Sequence, residues 1–269
     1  MVEVAVVTGG SGGIGRCTAA RLAAAGCRVY EFSRHERPQE GVNHIGADLT
    51  DENQVRAAVV EVLRREGRID ILVCNAGFGI SGAAELTSGA DSHAQLELNL
   101  FGMDNTVRAA LKHMRAGGGA MREQGGGRIV CMSSIAGILP IPFQLWYSVS
   151  KAAINAYVLA LQNEVRPFGI SVCAVMPGDI RSGFTSARNK TAEVGAYGGR
   201  VARSVARMER DEENGMTAEA ASAYIAKLAL RRGGSPLMAL GVPYKAAAMA
   251  AKLLPRRLSN YIIGIMYAR

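Results

Sequence analysis

Near the start of the chain an apolar run, residues 4–7, leads directly into Thr8-Gly9-Gly10-Ser11-Gly12-Gly13-Ile14-Gly15, and a helical pattern begins at once behind it. No other segment restricts the fold as tightly as this succession of strand, glycine turn and helix. Glycines let the backbone turn sharply and leave room for a bulky anion, which then faces the positive end of the helix. Two spacings overlap in the turn. Gly10, Gly12 and Gly15 satisfy G-x-G-x-x-G, while Thr8, Gly9, Gly13 and Gly15 satisfy T-G-x-x-x-G-x-G. Either spacing alone also fits a plain turn; placed between a first strand and a first helix, it points to the pyrophosphate of a dinucleotide.

The rest of the chain keeps the same rhythm. Short β-branched runs at 4–7, 28–32, 42–45, 69–74, 128–132 and 170–175, with a weaker one at 237–240, alternate with helical stretches at 14–25, 52–65, 92–114, 147–165 and 218–230. That alternation predicts an α/β protein: a single Rossmann-type doubly wound parallel sheet with helices on both faces. With 49% hydrophobic and 20% charged residues, a disordered chain is excluded and one domain over 1–269 is expected. The 32 glycines and 8 prolines are too few for a collagen or a low-complexity chain, so they act as local devices.

Two segments interrupt the rhythm. Residues 117–127 (GGGAMREQGGG) read as a surface loop. In the helical tail, about 243–269, Leu258, Tyr261, Ile262, Ile265 and Met266 recur near helical spacing beside Arg256 and Arg257. Packing of this tail on the body or on a sister subunit is favoured over contact with a membrane surface.

Charge and cysteine usage narrow the partners. Against 31 Lys and Arg stand 23 Asp and Glu, a balance of +8 that attracts anions, but no block of five or six basic residues marks a nucleic-acid binder. No apolar run approaches the roughly 18 residues of a membrane span and no leader precedes the first strand, so a soluble, cytoplasmic protein is expected. Cys17, Cys27, Cys74, Cys131 and Cys173 are odd in number and scattered, as reduced buried thiols would be. His35, His44, His93 and His113 form no ligand spacing, and no metal is expected.

The end of the second run decides which dinucleotide fits. A carboxylate there would bond a free ribose 2′-hydroxyl and repel a 2′-phosphate. The residues are Tyr30-Glu31-Phe32-Ser33-Arg34-His35, with Ser33 and Arg34 where the acid would stand. Arg34 can pair a phosphate, so NADP(H) is favoured over NAD(H); Glu31 competes but lies inside the strand.

Tyr147 and Lys151 are four apart at the head of a helix and share one face. A free tyrosine, with a pKa near 10, is a poor base, and a nearby ammonium favours its phenolate. Ser134, just past the run 128–132, brings a hydroxyl to the same edge. No Gly-x-Ser-x-Gly elbow surrounds it, which argues against a serine hydrolase.

Taken together, Thr8-Gly9-x-x-x-Gly13-x-Gly15, Asp48, Cys74-Asn75-Ala76-Gly77, Asn99, Ser134, Tyr147-x-x-x-Lys151 and Pro177-Gly178 resemble the short-chain dehydrogenase/reductase family over residues 4 to 185. The resemblance implies that Tyr147 exchanges the proton with a substrate oxygen. Lys151 then lowers its pKa and holds the nicotinamide ribose, Ser134 orients the carbonyl and Asn99 supports a proton-relay water. It implies cofactor contacts from Gly9, Ser11, Gly13, Ile14 and Gly15, from Ser33 and Arg34, and from Asp48 and Leu49 around the adenine. Asn75, Ala76 and Gly77, then Pro177, Gly178, Ile180 and Ser182, complete that set. Cys74 departs from the family's usual asparagine, at a position expected to face the sheet interior. Ser182 stands where a threonine often binds the nicotinamide carboxamide, with Thr185 as the alternative.

The segment after Ser182 is expected to form a substrate lid, about 183–216, over walls from 135–146 and 78–83. Ile138, Leu139, Ile141, Phe143, Leu145 and Trp146 make those walls apolar, which favours a hydrophobic, aromatic or steroid-like ketone or secondary alcohol over a sugar. The pattern is similar to the hydroxysteroid-dehydrogenase-like branch of the family, and a homodimer or homotetramer is expected. Two other functions use the same residues: reduction of a 3-oxoacyl group on an acidic carrier, and dinucleotide sensing without turnover.

Overall fold

The computed structural model describes residues 2–115, 126–184, 189–190, 195–231 and 233–268. Seven parallel strands form its central sheet: β1 (Val4–Thr8), β2 (Arg28–Ser33), β3 (Val42–Gly46), β4 (Ile71–Cys74), β5 (Gly127–Met132), β6 (Ile170–Pro177) and β7 (Leu237–Leu240). Their order is β7-β6-β5-β4-β1-β2-β3, the doubly wound arrangement that the alternating runs predict. Each strand falls on a predicted run, including the weak one at 237–240, whose Leu237 pairs with Ala174.

β4 starts two residues later than expected. Asp70 marks its entry: its carboxylate accepts from the Val4 N–H at 2.9 Å and from the Arg68 guanidinium at 2.8 Å. The loop predicted at 117–127 lies almost wholly outside the described residues; Gly127 already opens β5.

Side chains alternate across the sheet. Val4, Val6, Phe32, Leu72, Ile129 and Val172 are buried on one face, and Ala5, Val7, Val29, Ile71, Val73 and Val130 on the other. The first face is covered by α2 (Glu52–Glu66), α4 (Met103–Arg115) and α5 (Leu145–Val165), the second by α1 (Gly13–Ala24) and α7 (Ala218–Ala229). Asp51 fixes the start of α2 by accepting from the N–H groups of Asn53 and Gln54.

Three helical features differ from the sequence reading. The stretch predicted as one helix over 92–114 is α3 (Gly89–Leu96), a wider π-turn (Glu97–Gly102) and then α4. Such wide turns concentrate at functional positions, and Asn99 sits inside this one. Within the expected lid lies α6 (Arg200–Glu213), whose Val201, Val205 and Met208 are buried one above another. The tail is a pair, α8 (Val242–Leu253) and α9 (Arg256–Tyr267).

The end of α9 is bonded to the body, but the side chains that favoured packing in the sequence, Leu258, Tyr261, Ile262, Ile265 and Met266, stay exposed. Tyr267 donates to Asp211 Oδ2 at 3.2 Å, and Arg200 donates to the Ala268 carbonyl at 2.6 and 2.8 Å. Among the described residues no helix is long and apolar enough to cross a membrane. Because the strands are parallel, their carboxyl ends share one edge, where the turns after β1, β2, β4, β5 and β6 converge.

Candidate active site

The glycine turn is locked from below and open above. Thr8 Oγ1 accepts from the N–H groups of Asn75 and Ala76, and the Asn75 amide donates to the Thr8 carbonyl at 3.2 Å. Gly9 adopts φ +66°, and a Cβ there would stand 3.0 Å from Ala76 Cα; one on Gly15 would reach within 2.3 Å of the Gly9 carbonyl oxygen. These two positions admit only glycine. Gly12, by contrast, faces open space, and the α1 N-terminus that follows has neither a side-chain cap nor an acid in its first turn. Its free N–H groups and positive dipole suit a diphosphate. Ser11 and Ile14 are half-buried beside this opening, Gly13 is exposed, and Ser182 Cβ lies 4.0 Å from where a Gly13 Cβ would be. Ser182 therefore faces the turn from across the cleft; Thr185 lies outside the described residues.

At the far end, Ser33 donates to Glu31 Oε1 and the His35 carbonyl, both at 3.1 Å, and Arg34 is exposed. Asp48 accepts from the N–H and hydroxyl of Thr50 at 3.0 and 2.7 Å. Those bonds, with a smaller contribution from the Arg34 charge, hold its carboxyl below the ordinary value. Leu49 is buried against Gly102 under the same rim. Glu31 turns inward to His44 on β3 and is 3% exposed. A Cβ on Gly10 would stand 2.5 Å from Glu31 Cβ, so the bare backbone at Gly10 makes room for this acid.

The third cluster joins β5 to α5. Lys151 is buried, donates to the Met132 carbonyl at 2.7 Å and places its ammonium 5.5 Å from the centroid of the Tyr147 ring. Burial pushes the Lys151 ammonium down to about 8, since a charge loses its hydration there. Ser134 accepts from the Ala136 N–H at 3.1 Å and directs its hydroxyl to the Pro177 carbonyl at 3.4 Å. Asn99 accepts from the Phe78 N–H and donates to the Phe78 carbonyl and to Ser150 Oγ, whose hydroxyl donates to the Tyr147 carbonyl. A Cβ on Gly77 would meet Asn99 Oδ1 at 2.9 Å and Lys151 Nζ at 3.9 Å, so Gly77, Asn99 and Lys151 converge.

Residues 3–193 match the short chain dehydrogenase family. The chain belongs to it. Along nearly its whole length, this short-chain dehydrogenase is 36% identical to a 3-ketodihydrosphingosine reductase of Bacteroides thetaiotaomicron over 273 aligned positions, covering 99% of this chain and 98% of the relative. It is 34% identical over 210 positions to carbonyl reductase family member 4 of Xenopus laevis, covering 74% of this chain and 86% of that one. A short-chain dehydrogenase from Streptomyces avermitilis has the same fold, with a TM-score of 0.80, 31% identity and coverage of 94% and 95% of the two chains.

Tyr244 and Phe184 of the short-chain dehydrogenase site escape sequence reasoning. Tyr244 of α8 lays its ring where a Gly178 side chain would be, 2.0 Å from the ideal Cβ, and its hydroxyl accepts from the Asp179 N–H and donates to Asp179 Oδ2. Sixty-odd residues separate the two, and no pattern links them. Ile180, buried, pairs with Met216 beside this contact. Phe143 takes φ +61°, a strained value for a bulky side chain, and packs edge-on against Tyr197 at 5.9 Å. That contact, with Val201 and Val205 of α6, makes Phe143 part of the support for the covering helix. Phe184 lies 5.7 Å from the Tyr147 ring. Of the five cysteines, all free, only Cys17 is not buried; Cys74 faces the interior as expected. Among the described residues no cluster of three His, Cys, Asp or Glu could hold a metal.

Proposed function

We propose that this short-chain dehydrogenase reduces the ketone of a long, apolar substrate to a secondary alcohol with NADPH. The observation that carries the reading is the buried Lys151 ammonium held against the Tyr147 ring, at the strand edge that also presents Ser134. A phenol with an ordinary pKa near 10 gives and retakes a proton slowly at neutral pH; a neighbouring ammonium stabilises its phenolate. Tyr147 donates its proton to the ketone oxygen as that atom gains negative charge, and Ser134 supplies a second hydrogen bond to it. The hydroxyl of Ser134 gives up only the long 3.4 Å bond to Pro177 to do so. Asn99 fixes the Phe78 backbone and supports the water that returns the proton. The bound dinucleotide supplies the hydride.

The glycine turn, the uncapped α1 N-terminus and Ser182 fit a dinucleotide phosphate, and Arg34 beside Asp48 favours the 2′-phosphate of NADPH. The full-length relative named for a 3-ketone on an aliphatic chain supports a long-chain ketone over a steroid. Half-buried Ile138, Leu139, Ile141 and Trp146 after Ser134 offer it an apolar wall, and α6 of the expected lid packs on Phe143 of the same segment; residues 185–188 and 191–194 of that lid lie outside the described residues. A homodimer or homotetramer belongs to the same reading, supported by exposed Phe101, Val149 and Leu159.

The test follows NADPH and NADH absorbance with 3-ketodihydrosphingosine, a steroid ketone and a 3-oxoacyl thioester. Oxidation of NADPH that is fastest with the aliphatic ketone supports the reading. Faster turnover of the thioester or the steroid overturns the substrate, and dinucleotide binding without any turnover overturns the enzyme.

A further inference from the structure

Residues 242–269 hold Lys245, Lys252, Arg256, Arg257 and Arg269 and no Asp or Glu. On α8, Val242, Ala246, Met249 and Leu253 follow one another along one exposed face; on α9, Leu258, Tyr261, Ile262, Ile265 and Met266 do the same. Val242 is 80% exposed, Leu253 76% and Tyr261 61%. Single apolar residues on a surface are ordinary, but two successive helices presenting apolar stripes between cations are not.

We propose that α8 and α9 dock on an anionic lipid membrane, lying in the headgroup plane with these side chains inserted. A second copy of the chain fits this surface poorly, because a twofold contact would set the patch against itself, cation facing cation with no acid among residues 242–269 to pair. An apolar stripe flanked by Lys and Arg is complementary to acyl chains under anionic headgroups. The inner sides of the same helices are bonded to the substrate region: Tyr244 to Asp179, Tyr267 to Asp211 of α6, and Arg200 of α6 to the Ala268 carbonyl. Docking thus sets the covering helix beside the bilayer. Only this last step, entry of a long-chain ketone from the lipid, rests on the proposed reductase function.

Cosedimentation of the full chain with vesicles of phosphatidylglycerol and phosphatidylcholine, against phosphatidylcholine alone, tests it. Binding to the anionic vesicles, weakened by salt, is expected. Two triple variants, Leu253→Ser with Tyr261→Ser and Ile262→Ser, and Lys252→Glu with Arg256→Glu and Arg257→Glu, should each lose at least about tenfold in partitioning. Their thermal melts and NADPH binding should be unchanged, which separates the effect from misfolding. A chain that stays in the supernatant, binding by either variant equal to that of the parent, or a fall in oligomer mass in either variant without lipid overturns the proposal. A chain that binds vesicles but reduces no ketone leaves docking standing and removes the reductase reading.

Discussion

The Lys151 ammonium lies one helical turn along α5 from Tyr147, 5.5 Å from the centre of its ring, with the Met132 carbonyl as its bonded partner at 2.7 Å. A buried ammonium is costly, and a core position like this one would ordinarily hold an apolar side chain. Keeping the charge there fits the role proposed for Tyr147, whose phenol would pass through its anionic form.

Tyr147→Phe should therefore reduce turnover by at least about a hundredfold, the usual contribution of a positioned acid, while leaving dinucleotide affinity nearly unchanged. Stopped-flow NADPH oxidation and a fluorescence titration measure the two separately. Turnover close to that of the parent would remove Tyr147 from the mechanism.

Lys151→Met should raise stability at neutral pH while abolishing turnover. The folded-state value of about 8 lies below the ordinary 10.5, so the native protein is penalised wherever the amine is charged in both states, below about pH 8. As pH rises from 8 toward 10.5, the native form releases its proton before the unfolded chain does, and the penalty fades. The difference corresponds to about 3 kcal/mol, offset by about 1 kcal/mol for the bond lost at Met132. Melts of the ligand-free protein should show a gain that is largest near pH 7 and shrinks above pH 8; a pH-independent loss contradicts this account.

How much of this is legible in the chain depends on the range of the interaction. The seven strands could be read because β-branched runs bounded by turns are local, and Tyr147 with Lys151 because one helical turn brings them together. Helix α6 is hidden under its composition: Arg, Glu and Asp dominate 200–213, and the stripe of Val201, Val205 and Met208 is too sparse among them to stand out. The π-turn at Asn99 depends on Asn99 bonding both the N–H and the carbonyl of Phe78, a tertiary contact. Tyr244 under Gly178 is of the same kind, since only the folded chain brings α8 to the end of β6.

Arg34→Asp should shift preference toward NADH. The change would remove the proposed charge-assisted pairing, of a kind commonly worth about 1.5–3 kcal/mol, so KM for NADPH should rise by roughly tenfold or more while that for NADH changes little. Steady-state kinetics with both cofactors decide it. An equal loss with each would show that Arg34 supports the fold of the rim and reads no phosphate.

The space at Gly10 gives the most specific test of the cofactor end. A Cβ there would stand 2.5 Å from Glu31 Cβ, and no positive φ is involved, so the cost of Gly10→Ala is purely one of room. Overpacking of this kind costs about 1–3 kcal/mol. It should also push the glycine turn outward and weaken NADPH binding. Glu31 has its Oε2 without a hydrogen-bond partner among the described residues, so Glu31→Gly gives up the Oε1 contacts with His44 and Ser33 and removes the Cβ that a Gly10→Ala methyl would meet. In the double variant the new methyl group occupies the space that the acid leaves. Urea melts of both single variants and the pair should then show a combined loss smaller than the sum by about 1 kcal/mol, with NADPH affinity partly restored. Strict additivity would place the damage of Gly10→Ala elsewhere than in its approach to Glu31.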